Sequence, residues 1–192
     1  DNHNKGIKIF TGTMQKPWVE WLFSGSKQML VNSNSHEIGA LTYRTVDKVV
    51  QEDARKLVLT GGELSGIRIA SKSHFREDLR AQLKYDSALR FNYKIGGRPS
   101  QQVFLSMSCE SEGDTPGSCG ANVELTELLT QSAMDQWQSA SIDLRCFVQR
   151  GMKFGNSVVP FEIATQGTLA ISLADIELTP ELGPKATISC SQ

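Results

Sequence analysis

The 192-residue chain has only three histidines, four cysteines and fourteen aromatic side chains (eight Phe, three Trp, three Tyr), with a net charge of −1. Each shortage removes a class of function. Twenty basic against twenty-one acidic residues provide no cationic surplus for tracking phosphates, so nucleic-acid binding is not expected. No uninterrupted apolar run approaches the roughly 20 residues that span a bilayer, so no membrane association is expected. The polar start, Asp1-Asn2-His3-Asn4-Lys5, lacks a signal-peptide core and an initiator Met, which suggests a piece of a longer protein. There is no G-x-S-x-G elbow, Walker loop, G-x-G-x-x-G or H-E-x-x-H. His3, His36 and His74 read as exposed loop residues, since no spacing ties them to a nucleophile. The carboxylate groups Glu52 with Asp53, Glu77 with Asp78, and Glu110 with Glu112 and Asp114 read as solvated charge rather than as a facing acid/base pair. No catalytic residue is expected.

What is present is alternation with period two. Leu89, Phe91, Tyr93 and Ile95 alternate with Arg90, Asn92 and Lys94, as on a strand with one wet and one dry face. The same pattern covers Val103 to Cys109, Ala140 to Leu144, and Leu169 to Leu173. After Leu173 the apolar parity changes to Ala174, Ile176 and Leu178, which predicts a bulge or bend. Further strands are expected over Lys8–Phe10, Val19–Phe23, Ala40–Val46, Arg55–Thr60 and Ser65–Ala70. Helical spacing is confined to Leu79 with Leu83, and to Leu125, Leu128 and Leu129 after Asn122. About ten short strands between Gly, Ser, Asn and Pro call for an all-β sandwich or barrel. It is expected as a single domain over 1–182, followed by a tail over 183–192.

The cysteine spacings fit no C-x-x-C zinc or redox pattern. The polar, turn-rich segment between Cys109 and Cys119 suits a disulfide, which belongs to an oxidising compartment. Cys146, before Phe147 and Val148, reads as a small core residue, and Cys190 lies in the tail without an obvious local partner.

Six aromatics outside the best-defined strand could serve as stacking platforms for sugar rings: Trp18, Trp21, Tyr43, Phe75, Tyr85 and Trp137. Trp18 and Trp21 are three apart, so on a strand they face opposite ways and at most one is core. Trp137, out of parity with Ala140 and Ile142, is expected either under a loop or at the surface, with packing preferred.

An ordered series of short segments then resembles a known family. Gln51-Glu52-Asp53-Ala54-Arg55 comes first, then Ala88-Leu89-Arg90-Phe91-Asn92-Tyr93, and then the Cys109–Cys119 loop with Gly120-Ala121-Asn122-Val123-Glu124-Leu125. Trp137-Gln138-Ser139, Ile142-Asp143-Leu144-Arg145-Cys146-Phe147, Gly151, Pro160-Phe161-Glu162-Ile163, Gly167-Thr168-Leu169 and Ala174-Asp175-Ile176-Glu177-Leu178 complete it. Over about 37–178 the chain resembles the galactose-binding-like C-terminal domain of bacterial family 3 glycoside hydrolases, exo-β-glucanases and β-glucosidases. The resemblance implies a jelly-roll β-sandwich with one or two short helices, in a secreted or periplasmic enzyme whose catalytic residues lie in preceding domains. It implies no catalytic residue for this chain. Its partners would be the catalytic domains of the same parent chain, against which it would pack near the active-site mouth. Alternatively it would be an autonomous module for β-glucan oligosaccharides, with Trp18, Trp21 and Tyr43 as carbohydrate-binding candidates. The small number of aromatics leans toward docking. No cofactor is required, although the resemblance also suggests a structural calcium on Asp175 with Glu52 or Asp53, the alternative being a strand acid in solvent.

Overall fold

The alternating segments form strands because one parity in each can be buried. In a computed structural model describing residues 6–84, 86–110, 118–180 and 187–190, thirteen strands stack as two antiparallel sheets. They are β1 (Ile7–Phe10), β2 (Trp18–Ser24), β3 (Lys27–Leu30), β4 (Ser35–Ile38), β5 (Leu41–Val46), β6 (Ala54–Thr60) and β7 (Ser65–Ser71). There follow β8 (Ala88–Gly97), β9 (Val103–Cys109), β10 (Gly120–Glu124), β11 (Gln138–Asp143), β12 (Ser157–Thr165) and β13 (Thr168–Thr179). Two short helices, α1 (Thr126–Gln131) and α2 (Leu144–Gln149), interrupt them. One sheet has the order β11-β8-β13-β6-β5-β4, with β1 also on β13; the other has the order β10-β9-β12-β7-β2-β3.

The inner faces meet in one core. Leu57, Leu89, Phe91, Ile95 and Ile171 of the seven-stranded sheet face Leu22, Ile67, Ile69, Leu105 and Phe161 of the six-stranded sheet, all nearly or fully buried. Phe91 and Phe161 cross between sheets edge to face, with centroids 5.4 Å apart, the arrangement favoured by the aromatic quadrupole. The expected all-β sandwich is therefore found.

The parity change in β13 is a bulge at Asp175, whose φ is +52°. Its cause is topological: β6 pairs with Thr168–Leu173 and β1 with Ile176–Leu178, so one strand serves two neighbours along the same edge. Alternation misleads at Leu144, expected as the end of a strand. The Asp143 carboxylate accepts from the Arg145 backbone N–H at 2.9 Å and so starts α2 one residue later. Four strands, β3, β4, β10 and β12, were not legible. β12 is buried on both faces and carries Pro160 at a register shift, so it has no alternation to read.

Cys109 and Cys119 form the expected disulfide, their Cα atoms 5.0 Å apart. Cys146 is not a free core thiol: it is bonded to Cys190, with a Cα separation of 5.3 Å. Residues 187–190 lie along β11, where Ile188 bridges Ile142 and the Thr187 N–H donates to Ser141 O at 2.9 Å. This strap covers an edge strand that would otherwise be open to pairing. Among the described residues, no helix is long and apolar enough to cross a membrane.

Candidate functional site

In β2 the two tryptophans take opposite faces, as their spacing requires. Trp18 points inward and is 4 % exposed, while Trp21 points outward and is half-buried against Ala70, Val158 and Val159. Tyr43 also points inward, 2 % exposed, and cannot offer a ring to a ligand. Its hydroxyl donates to Glu20 Oε2 at 2.9 Å, and Arg55 Nε approaches the same oxygen at 3.3 Å. Burial pushes the Glu20 carboxyl up, with Arg55 and the Tyr43 hydrogen bond pulling it back. Burial and the adjacent carboxylate push the Tyr43 phenol well above its ordinary value. This triad ties β2 to β5 and β6 through the interior and serves the fold. Of the carbohydrate-binding candidates, Trp18 and Tyr43 are thus placed in the core, and Trp21 alone has an outward ring.

The outer face of the six-stranded sheet carries one row across all six strands. The register aligns Leu30 (β3), Trp21 (β2), Arg68 (β7), Glu162 (β12), Ser106 (β9) and Asn122 (β10). With strands about 4.8 Å apart, the row is about 24 Å long. At its centre Arg68 Nε donates to Glu162 Oε1 at 2.6 Å, and the guanidinium lies 4.7 Å from the Phe23 ring centroid. Ion pairing and stacking together fix the guanidinium plane, leaving its remaining N–H groups directed by the same geometry. At the polar end Ser106, Ser108, Gly120, Asn122 and Glu162 line a hollow of ≈ 250 Å³. At the aromatic end His74 stands 6.4 Å from Trp21, and Phe75 is 69 % exposed on a turn held by Ser71 Oγ donating to Phe75 O at 2.6 Å. The row thus offers one aromatic edge, a charged pair, a hydroxyl and an amide in line, a set suited to a polyhydroxylated chain.

His36 is not a loop residue. It lies in β4, with its ring 5.8 Å from Tyr43 and its Nε2 accepting from the Asn32 N–H at 3.2 Å. Trp137 lies at the outer face of the seven-stranded sheet, covered by Lys48 and Lys94, whose ammonium nitrogens stand 5.6 and 5.5 Å from its ring centroid. His3, Tyr85, Glu112 and Asp114 lie outside the described residues.

The calcium candidates each have protein partners, Glu52 accepting from Asn34 Nδ2 at 3.5 Å. Both Asp53 carboxylate oxygens are occupied by the backbone N–H groups of Lys48, Val49 and Val50. Partial burial raises the Asp53 pKa, but these bonds outweigh it and hold the carboxyl below its ordinary value. Asp175 accepts from Asn92 Nδ2 at 2.8 Å and faces the Lys48 ammonium at 3.5 Å. Calcium takes six to eight oxygens, and a carboxylate already neutralised by a lysine does not fit that set. Among the described residues, no group of three or more His, Cys, Asp or Glu converges.

Residues 16–178 match the model of the Exop_C family, described as galactose-binding domain-like. No curated protein sequence matches the chain. Among solved structures, the exo-1,3/1,4-β-glucanase of a Pseudoalteromonas species is similar at a TM-score of 0.74 and 17 % identity, over 99 % of this chain and 22 % of that one. The extra C-terminal domain of that glucanase, solved alone, gives 0.72 and 18 %, over 97 % and 99 % of the two chains. A family 30 carbohydrate-binding module from a cellulosomal cellulase of Clostridium thermocellum gives 0.66 and 16 %, over 90 % and 96 %. The chain therefore spans about a fifth of the whole glucanase but nearly all of its separate C-terminal domain. These identities establish a shared fold, and the family match over most of the sequence adds descent: the chain belongs to the Exop_C family of galactose-binding domain-like β-sandwiches.

Proposed function

We propose that this chain is a non-catalytic accessory module that holds β-glucan along the outer face of its six-stranded sheet for the catalytic domains of a secreted or periplasmic family 3 glucanase or glucosidase. The observation that carries the reading is the row from Trp21 through Arg68 and Glu162 to Ser106 and Asn122. The outward side of the partly buried Trp21 indole would supply apolar contact to a pyranose face. The charged pair and its neighbours offer donors and acceptors to ring hydroxyls, and charged partners make the stronger bonds. The kinship with an exo-1,3/1,4-β-glucanase domain supports glucan as the polymer, and the two disulfides support an oxidising compartment. Tethering raises the local concentration of polymer without any chemistry of its own.

A second reading, docking against the catalytic domains at the active-site mouth, is favoured by the apolar rim beside Trp21, where Leu30 is 45 % and Phe75 69 % exposed. Calorimetric titration with mixed-linkage β-glucan oligosaccharides separates the two. Saturable binding is expected, weakened about tenfold (about 1.4 kcal/mol) by Trp21→Ala and also reduced by Asn122→Ala, whose side chain has no packing role. Silence up to millimolar sugar, with loss of parent activity when the domain is deleted, would instead support docking.

A further inference from the structure

The opposite face of the sandwich carries a second row of different chemistry. Register aligns Arg44 (β5), Lys56 (β6), Ser172 (β13) and Lys94 (β8) across four neighbouring strands. Their chain neighbours Tyr43, Leu57, Leu173 and Tyr93 are buried inward, so the row lies on the outer face of the sheet; Arg44 is exposed and Lys56 and Lys94 are half-buried there, while Ser172 between the two lysines is itself covered. Arg44 and Lys56 are one strand spacing apart, about 4.8 Å, and Lys94 is about 10 Å further along the sheet. Like charges placed opposite each other destabilise a sheet, so folding alone gives no reason for this alignment. The ion pairs among the described residues include none of these three cations.

The row ends at Trp137. There Lys94 Nζ and Lys48 Nζ stand 5.5 and 5.6 Å from the indole centroid, so the ring holds two ammonium groups in place. Lys48 is further positioned by Asp175 at 3.5 Å, Asp175 by Asn92 at 2.8 Å, and Asn92 by the Ser139 hydroxyl at 2.6 Å. The acids of this face stand beside the row and not in it: Glu37 near the Arg44 end, Asp135 over Gly96 beyond Lys94, Asp175 beside Trp137, and Glu177 already paired with Lys8 at 3.1 Å. At the Arg44 end a hollow of ≈ 370 Å³ opens over Arg44 and Lys56, with Ser35, Thr42 and Glu37 around it. The chain as a whole is at −1, so this is a local concentration of positive charge and not a generally basic surface.

We propose that the outer face of the seven-stranded sheet binds an anionic polysaccharide, a linear chain carrying a carboxylate or sulfate on successive sugars. A linear array of cations matches a linear array of anions. Among the described residues, the apolar side chains near the row are small or aliphatic, Val58, Ala170 and Ala174 on the sheet with exposed Val49 and Val50 on the loop that carries Lys48, and Trp137 is the single large aromatic, short of the aromatic anchors that centre a protein interface. A single-stranded nucleic acid would use several aromatic platforms in succession, and among the described residues this face has one, Trp137. The site is separate from the neutral-glucan row on the other sheet, and neither reading depends on the other.

Affinity electrophoresis of the 192-residue chain tests it. The protein is run in native gels containing polygalacturonate, dextran sulfate or neutral mixed-linkage glucan, at low and at moderate salt. Retardation by a polyanion at low salt is expected, with retardation by polygalacturonate or by dextran sulfate naming the anion. Lys56→Gln/Lys94→Gln is expected to weaken it at least about tenfold and to flatten the log–log salt dependence by roughly one to two units. Arg44→Gln, at the exposed end of the row, is expected to weaken it less, and Trp21→Ala to leave it unchanged. The glutamine variants keep part of each aliphatic stem and relieve a like-charge contact, while Lys94→Gln gives up its ammonium contact with Trp137, so thermal melting should show only a small change in stability. Lack of retardation of the wild-type chain by either polyanion, or retardation indifferent to these substitutions, would overturn the proposal. So would stronger competition by a single-stranded oligonucleotide than by either polysaccharide at equal charge.

Discussion

Arg55 places a positive charge inside a β-sandwich and has all three of its nitrogens engaged. Nε faces Glu20, Nη1 donates to Glu52 O and Ala54 O at 3.1 Å, Nη2 reaches Gly12 O at 3.4 Å, and the guanidinium stacks 4.6 Å from the Phe10 centroid. Removing one partner of such a pair strands the other. Arg55→Met is therefore expected to destabilise the fold by roughly 3–5 kcal/mol at neutral pH. The pH dependence has a definite sign. Burial already raises the Glu20 pKa above its ordinary 4.5, and losing Arg55 removes an influence that lowers it. A raised folded pKa contributes stability that is present below the unfolded value and is lost as pH rises through the folded one. The variant should thus recover much of its deficit near pH 4.5, the ordinary value for that carboxyl, which denaturant melts at stepped pH would reveal. A deficit constant across that range would mean that Glu20 is not the stranded group. Trp18 shows a smaller conflict: its indole N–H is buried without a hydrogen-bond partner among the described residues, so its ring is held by packing alone.

Among the elements, β7 shows how closely central strands pack. Gly66 lies between Phe23 of β2 and Ala164 of β12, and a methyl group on its Cα would run into the carbonyl oxygen of Ile163. The need for glycine here is close approach of a neighbouring strand. Gly66→Ala is expected to cost roughly 1–3 kcal/mol through strand displacement, read as a lower urea midpoint, and to weaken glucan binding because Arg68 is carried on the same strand. Unchanged stability would show that β12 can shift without penalty. β13 is the contrasting case, since its irregularity was legible in sequence. The parity change after Leu173 required a bulge, and the bulge falls at Asp175. α2 was missed because Ala140, Ile142 and Leu144 continue a strand pattern; the available signal was Asp143, a side chain able to cap the next turn.

At the scale of the molecule, two disulfides close loops of unequal length, spanning 10 and 44 residues. Chain-entropy reasoning assigns about 3 kcal/mol to the shorter and about 4 kcal/mol to the longer. The Cys146–Cys190 bond also pins the strap that covers β11. Replacing Cys146 and Cys190 together by Ser should therefore lower stability more than replacing Cys109 and Cys119, and should speed proteolytic trimming of the C-terminal residues. Guanidinium melts and mass spectrometry would check both, and the reverse order would show that the strap holds without its bond. The sandwich then stands as a module with two chemically distinct outer faces, one mixed and aromatic, the other cationic, built on one shared core.

The sequence by itself determined the all-β class, most strands, the bulge, the Cys109–Cys119 bond and the shortage of catalytic motifs, because these rest on local alternation and loop chemistry. It also required Trp18 and Trp21 to face opposite ways, since side chains alternate along a strand. Only the tertiary structure decided which of them is outside, because that depends on which sheet covers β2. Likewise it placed Tyr43 in a buried ion-pair network, paired Cys146 with Cys190, and aligned Arg68 with Glu162 and Arg44 with Lys56 and Lys94. Such rows belong to the register between strands far apart in the chain, and no single segment of sequence contains that register.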